Sequence, residues 1–429
     1  MPANAAPSAP DTPARQAARR LRDPAEIRRR CAAIAAHVDT GASAHFTLDR
    51  TRLDAVAGRI AKLCLARFPT LRIPYHSRWR HFEAGGVDRK ERLDHALAEL
   101  GAPEAARARI DLTVVSVLLD AGAGPTWRYQ EPSTDAVLTR SEGLAVATFD
   151  AFLSGEFSSD PARPCRVDAD ALMALEPWHL STIFQVHDGN PLVGLDGRTH
   201  LMHRLGAALG SLARHDGGPA RPGRLYDTLL SRLDPATRSL KAADILAALL
   251  DATSAIWPSG QWLGTRDGQG PDDQPLGDVW PHPAAGGAGL DAGLVPFHKL
   301  SQWLTYSLLE PFEWAGIPVT GLDALTGLPE YRNGGLLLDA GVIVPRDAAA
   351  LAEPHTPADP WVIEWRALTV ALLDELAPRV RAELGVNAGQ LPLACMLEGG
   401  SWAAGRQIAA ERRLGGPPPV RIDSDGTVF

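Results

Sequence analysis

Four cysteines occur in 429 residues, Cys31, Cys64, Cys165 and Cys395, and no two of them stand at CxxC spacing. That excludes a disulfide framework and a cysteine-based structural zinc site as organising principles. No run of about 18 apolar residues exists, so nothing reads as a membrane span. The N-terminus also lacks a hydrophobic signal core; it is Ala, Pro and Arg, ending in Arg28-Arg29-Arg30. Such an Arg-rich, acid-poor start shares its composition with organelle transit peptides. A disordered tail over residues 1–22 is the simpler reading, and the chain is expected in the cytoplasm.

An excess of basic charge is missing as well. Acidic residues outnumber basic ones by 51 to 43, which argues against a nucleic-acid coat and against docking on an anionic membrane. A local anion site stays open. Alternating strand patterns are scarce, with 341–345 and 420–422 the clearest. There is no βαβ alternation and no glycine-rich loop after a strand, so a Rossmann or P-loop enzyme is disfavoured. No His pair has zinc-ligand spacing and no GxSxG occurs. The sequence therefore asks for no metal and no cofactor.

What is present is helix. Helical patterns run through 49–66, 88–100, 110–119, 141–153, 198–214, 223–233, 241–256, 297–314 and 361–384. The last is apolar on most sides (Trp365, Leu368, Val370, Leu372, Leu373, Leu376), as a helix central to a large core would be. Residues 23–429 read as a single, mainly α domain with few short strands. Between 257 and 293 lies a stretch rich in Gly, Pro and Asp, holding Trp257, Trp262, Trp280 and His282. A loop that long is expected to act as a lid over a site.

The 297–308 segment is the first functional candidate. At helical spacing Phe297, Leu300, Leu304 and Leu308 share one face, and His298, Gln302 and Tyr306 share another beside Lys299. Imidazole, amide and phenol groups suit a small-molecule site, and a face packed on a neighbouring helix is the competing account. His298 can shuttle a proton, and Lys299 can hold an anion. Glu364 and Arg366 open the apolar helix, where a buried guanidinium needs an anionic partner or several acceptors. Glu364 suits general acid–base work, although the helix dipole alone would favour a Glu there.

Other groups follow. Tyr331 and Arg332 sit in the 329–335 turn, as fit for ligand contact as for turn formation. Trp127 and Tyr129 share one face of an extended segment, able to cover a planar ligand or to fill a core. Arg140 precedes a helix whose first amides suit an anion. Asp188 follows His187, and adjacent residues rarely form a catalytic pair. Gly399, Gly400 and Ser401 form a glycine-rich helix entry whose amides suit a phosphate. The 423–426 segment is read as a turn.

Eight blocks in order carry a resemblance: Pro125-Thr-Trp-Arg-Tyr129, Thr139-Arg-Ser-Glu-Gly143, His187-Asp-Gly-Asn-Pro-Leu192, Val295-Pro-Phe-His-Lys-Leu-Ser-Gln-Trp-Leu304, Leu328-Pro-Glu-Tyr-Arg-Asn-Gly-Gly335, Ile363-Glu-Trp-Arg-Ala367, Leu397-Glu-Gly-Gly400 and Ser424-Asp-Gly-Thr-Val-Phe429. From about residue 24 onward the chain resembles the uracil-catabolism protein 4 family of bacteria and fungi. The resemblance implies a substrate derived from a uridine nucleoside or nucleotide after ring opening. That substrate would be ribosylurea, with or without a 5′-phosphate, cleaved by water at its N-glycosidic bond to urea and a ribose derivative.

More distantly, the chain is similar to the queuosine-salvage nucleoside hydrolases, which implies their DNA-glycosylase-like helical fold. Their segments Asp-Tyr-Arg-Leu-Pro-Gln and Glu-Ile-Arg-Gly correspond to 297–302 and 364–367. Lys299, Leu300, Gln302, Glu364 and Arg366 fit, but Phe297 replaces the aspartate that would stabilise the ribosyl cation. The resemblance then implies that Glu364 or Asp339 supplies the carboxylate and that His298 protonates the departing urea nitrogen. Lys299, Arg332 or Arg366 would hold the 5′-phosphate. Gln302, Tyr306, Tyr331, Trp127, Tyr129, Arg140 and Asp188 would complete the substrate site. The missing aspartate also motivates a non-catalytic binding or channelling subunit; an amidohydrolase acting on the ureido group is a third reading. No nucleic-acid or membrane partner is expected, and a homo-oligomer is compatible with the sequence.

Overall fold

Thr12 and Asp23 each start a helix by accepting a hydrogen bond from a backbone N–H two or three residues on, and each is followed by proline at the first helical position. The computed structural model describes residues 12–120, 122–210, 218–257, 261–264, 270 and 272–423. The first helix, α1 (Pro13–Leu21), corrects the expectation of a tail through residue 22. Ala14, Ala17, Ala18 and Leu21 are buried against Leu263, Leu276 and Val279. Small alanines at helical spacing form a narrow apolar face between arginines, a face too slight to notice in the sequence. Residues 1–11 lie outside the described residues.

The remaining helices follow in order: α2 (Pro24–Asp39), α3 (Leu53–Arg67), α4 (Arg78–Phe82), α5 (Arg89–Ala96), α6 (Ala102–Leu118) and α7 (Arg140–Leu153). Then come α8 (Ala169–Met173), α9 (Pro177–Ile183), α10 (Leu195–Leu209), α11 (Arg224–Leu230) and α12 (Ala242–Thr253). The last third holds α13 (Lys299–Trp314), α14 (Tyr331–Asp339), α15 (Pro360–Leu384), α16 (Leu393–Met396) and α17 (Trp402–Arg412). The fold is mainly α. One apolar cluster extends from Ile27 to Val420 and takes in most of these helices.

Two helices organise that core. α15 packs on α2, α3 and α14, with Val362, Ile363, Leu368, Val370, Leu372, Leu373 and Leu376 buried. α13 packs on α6 and α12. A π-helical turn, Leu397–Ser401, joins α16 to α17 and lies against α3. A Cβ at Gly399 would meet the Ile73 side chain at 2.7 Å, and one at Gly400 would meet the Ile60 carbonyl at 2.6 Å. The Gly-Gly pair thus serves close packing and not the phosphate-holding loop expected from its composition.

Strands are short and paired in twos. The expected strand near 341–345 is Ile343–Pro345, antiparallel to Phe46–Leu48; that near 420–422 is Arg421–Ile422, parallel to Pro354–His355. The 257–293 stretch, expected as a lid, carries strands Gln261–Leu263, Gln274–Gly277 and Val279–Pro281 among its described residues. The first two pair with each other and the third pairs with Leu294–Pro296. Trp257, Asp278, Trp280 and His282 are buried, so the described part of this segment packs into the molecule as a wall. No helix among the described residues is long and apolar enough to cross a membrane. The block at 424–429 lies outside the described residues.

Candidate active site

The polar face of α13 turns into the core. The Gln302 amide donates to the Phe297 carbonyl at 3.2 Å and to Thr326 Oγ1 at 2.5 Å, and its oxygen accepts from the Thr326 N–H at 2.9 Å. Tyr306 donates to the Thr326 carbonyl at 2.7 Å. Both side chains are buried and satisfied, so they fasten α13 to the chain around 326. His298 caps α13 in the left-handed region, φ 47°, and its Nε2–H donates to the Leu21 carbonyl at 2.9 Å. Burial pushes its pKa down to about 4. A neutral imidazole committed to Leu21 is not the expected proton donor.

Arg366 is likewise committed. Its two Nη atoms meet the two oxygens of Asp278 at 2.8 and 2.7 Å, and its guanidinium stacks over Phe297 at 4.2 Å. Asp278 also accepts from the Lys299 N–H at 3.0 Å and from Trp280 Nε1 at 2.6 Å. Burial alone would raise the Asp278 pKa, but Arg366 and these hydrogen bonds hold it below the usual carboxylate range. Phe297, which stands where the aspartate was expected, is thus the apolar platform of an ion pair. Asp278 was not nominated from the sequence; the demand of Arg366 for an anionic partner was the signal for it.

The expected carboxylates are also spent. Glu364 accepts from the Ser43 hydroxyl and faces His282 Nε2 at 3.4 Å. His282 Nδ1 accepts from the Ala284 N–H at 3.2 Å, which leaves the proton on Nε2 to be given to Glu364. Asp339 is paired with both Nη atoms of Arg413, joining α14 to α17. Arg332 is buried over the Tyr331 ring, 5.0 Å from its centroid, and donates to the Gly416 carbonyl at 3.3 Å. None of these groups lines the cavity described next.

That cavity measures about 670 Å³ and opens between α4, the 124–128 segment, the start of α7 and the π turn with α17. Five arginines line it (Arg67, Arg80, Arg128, Arg140, Arg406) with His76 and His81, against two carboxylates, Glu142 and Glu398. Of the residues nominated from the sequence, Arg140 is the one that lines it. It begins α7 with φ 55°, an unusual backbone for a non-glycine residue. Glu398 accepts from His76 at 2.9 Å and from Arg67 at 3.1 Å; burial would raise its pKa, but these partners hold it below the usual range.

Beneath the lining lies a polar cluster. His81 Nδ1 accepts from Arg78 Nη1 at 3.2 Å, and the His81 ring meets Trp303 edge-on at 5.7 Å. Arg78 Nη1 forms an ion pair with Asp120 Oδ1 at 3.2 Å, and Arg78 is the one ion-pair partner of that carboxylate among the described residues. Burial and the Arg78 charge push the His81 pKa down to about 4. Lys299 stands one helical turn before Trp303, so the two share a face. Its ammonium makes no hydrogen bond or ion pair among the described residues; burial lowers its pKa, while Glu330, and less strongly Asp120, oppose that. Glu330 caps α14, accepting from the Asn333 and Arg332 N–H groups at 2.6 and 2.7 Å; burial raises its pKa against those bonds. Arg78 Nη2 and Trp303 Nε1 are buried with no hydrogen-bond partner among the described residues.

A brace holds one side of the cavity. Asn190 accepts from the Arg128 N–H at 2.8 Å and donates to the Arg128 carbonyl at 2.8 Å. Gln185 does the same to Gln130, at 3.0 and 2.9 Å. The 185–190 segment around Asp188 therefore supplies two side chains that imitate a neighbouring strand; Asp188 itself is exposed in its turn. Trp127 is packed on Gly143 and donates to the Phe184 carbonyl at 2.9 Å, and Tyr129 donates to Asp150 at 2.9 Å. Both are buried packing groups. Tyr331 lies at the surface, 37% exposed, beneath the Arg332 guanidinium.

Residues 20–429 match the model of a family described as "Protein of unknown function (DUF1688)". The chain is 39% identical over 418 residues to "Uracil catabolism protein 4" of Lachancea kluyveri, covering 91% of this chain and 93% of that protein. It is 40% identical over 392 residues to "Protein urg3" of Schizosaccharomyces pombe, covering 90% of this chain and 92% of that one.

Proposed function

The chain belongs to the DUF1688 family, alongside uracil catabolism protein 4 and urg3, and from that premise we propose that it works in uracil catabolism as an N-ribosyl hydrolase of ribosylurea. The observation that carries the reading is a carboxylate and an ammonium beneath the cavity lining: Asp120, held by Arg78 at 3.2 Å, and Lys299, which makes no hydrogen bond or ion pair among the described residues and whose charge Asp120 favours. Hydrolysis of an N-glycosidic bond passes through an oxocarbenium-like sugar and needs one carboxylate and one proton donor.

Asp120 fits the carboxylate. It follows the rigid, buried helix α6, and Arg78 fixes its position at 3.2 Å. In the step we assign, a water oxygen bonds to the anomeric carbon as the bond from that carbon to the urea nitrogen breaks. Asp120 takes the proton of the water. Lys299 gives a proton to the departing nitrogen, and a lysine whose pKa burial has lowered is a better acid than an exposed one. Urea and the free sugar leave, and the proton on Asp120 returns to Lys299 through solvent. Glu142, on the cavity wall, is suited to the sugar hydroxyls. Glu364, Asp339 and His298, which the sequence nominated for these roles, have no part in this scheme.

The test is direct. Purified protein is mixed with ribosylurea, with and without a 5′-phosphate, and urea and reducing sugar are assayed together. Equal release of both is expected from at least one substrate. Failure to release urea from either, with the fold intact by circular dichroism, would remove the reading. Ammonia appearing before urea would transfer it to attack on the ureido group.

A further inference from the structure

The hydrolytic step leaves the charge at the cavity mouth unused. Two of the five lining arginines are neutralised there: Arg67 by Glu398 at 3.1 Å, and Arg80 by Glu310 at 2.6 Å and Glu83 at 2.9 Å. Arg128, Arg140 and Arg406 make no side-chain hydrogen bond or ion pair among the described residues, yet all three line the same cavity.

Each is positioned without being neutralised. Asn190 grips the backbone of Arg128 at both N–H and C=O. Arg140 leaves the chain at φ 55° as the first residue of α7, whose cap residue Thr139 makes no side-chain hydrogen bond to the helix. Arg406 stacks on Trp402, 5.0 Å from the ring centroid. A further cation waits beneath them. Arg78 is wholly buried, its Nη1 donates to the Ser141 carbonyl in the first turn of α7 at 3.3 Å, and its Nη2 has no hydrogen-bond partner among the described residues.

Three planar forks lining one cavity offer more donors than a carboxylate can accept, and they match the terminal oxygens of a phosphate. The volume, about 670 Å³, is that of a small-molecule site and not a polymer groove. The net charge of −8 also makes this basic lining a local feature. We propose that Arg128, Arg140 and Arg406 form a phosphate clamp, so that the ligand is a ribosyl compound carrying a 5′-phosphate. The sugar half of this statement rests on the function proposed above; the phosphate half rests on the arginines alone.

Ribose 5-phosphate, ribose and inorganic phosphate serve as probes in calorimetric titrations of the full chain. None of them is hydrolysed, so binding is read independently of turnover. Ribose 5-phosphate is expected to bind at least about tenfold more tightly than ribose, and inorganic phosphate to compete with it. Arg128→Gln and Arg140→Gln should each weaken ribose 5-phosphate about tenfold and leave ribose unchanged, with thermal unfolding as in the parent protein. Arg379→Gln, which removes a surface charge outside the cavity, should change nothing. Equal affinity for the two sugars, binding of neither, failure of phosphate to compete, or a preference that survives both substitutions would overturn the clamp. Urea release from unphosphorylated ribosylurea without any phosphate preference keeps the hydrolase and removes the clamp. Tight ribose 5-phosphate binding without urea release does the reverse.

Discussion

Asp278 and Arg366 meet fork to fork at 2.8 and 2.7 Å, with the Phe297 ring under the guanidinium and neither charge exposed to water. This pair joins the start of α15 to the wall formed by the 257–293 stretch and to the first N–H of α13. A buried ion pair of this kind is worth little against an apolar substitute but is costly to break from one side. Asp278→Asn is therefore expected to lower unfolding free energy by roughly 3–5 kcal/mol in urea titrations. Combining it with Arg366→Met should cost less than the sum of the single changes. An Asp278→Asn protein as stable as the parent would show that the guanidinium finds compensation elsewhere.

Stability should fall with acidification before most carboxylates titrate. His298 has a pKa near 4 in the folded chain, because burial disfavours its charged form. In the unfolded chain it titrates near the ordinary value of about 6.5. Between these values the unfolded state binds more protons, so the stabilisation is complete above about pH 6.5 and is lost as pH falls toward 4. The loss for this one group reaches up to roughly 3 kcal/mol. His298→Asn removes the titration while tolerating the left-handed backbone. The drop in melting temperature from pH 7 to pH 5 should be smaller in this variant than in the parent. An unchanged drop would assign the acid sensitivity to other groups.

Two carboxylates should separate under kinetics. Asp120→Asn is expected to reduce kcat on ribosylurea by roughly 10²–10⁴-fold with a modest change in KM. Glu364→Gln should instead act on the fold, since it disturbs the bonds to Ser43 and His282, at about 1–3 kcal/mol for a buried polar group left unmatched. The melting temperature and kcat of both variants decide the matter. A Glu364→Gln enzyme that is stable but inactive, beside an active Asp120→Asn enzyme, would return the catalytic carboxylate to α15.

The helices were legible because their apolar residues recur at 3.6-residue spacing and fill one core, as Leu368, Leu372 and Leu376 do on α15. The site was less so. His298, Gln302 and Tyr306 have the composition of a ligand face, but Leu21 and Thr326, distant in sequence, take up their hydrogen bonds. Only the partner elements decide whether such a face meets a cavity or a neighbour. Asp278 sits in a stretch without periodicity, where nothing marks it as the counter-ion of a residue 88 positions away. Asp120 did leave a trace: an acidic side chain just past the C-terminus of an apolar helix opposes the helix dipole and so calls for another reason to be there. Arg140 was found because its place before a helix is readable from local sequence alone.

The Asn190 brace yields the last prediction. Its carboxamide satisfies both backbone groups of Arg128 and also donates to the Gln185 carbonyl at 2.8 Å. An extended segment without a full strand partner needs these bonds to keep its course, and the Arg128 side chain inherits its direction from them. Asn190→Ala removes all three bonds, while Asn190→Asp keeps the acceptor and loses the donors. Ribose 5-phosphate affinity should fall by about threefold to tenfold in Asn190→Ala, less than or equal to the loss in Arg128→Gln, with ribose affinity unchanged. In an Arg128→Gln background, Asn190→Ala should have little further effect on that affinity, because it acts through the arginine it positions. Additive losses in the double variant would mean that Asn190 supports the cavity as a whole and not Arg128 in particular.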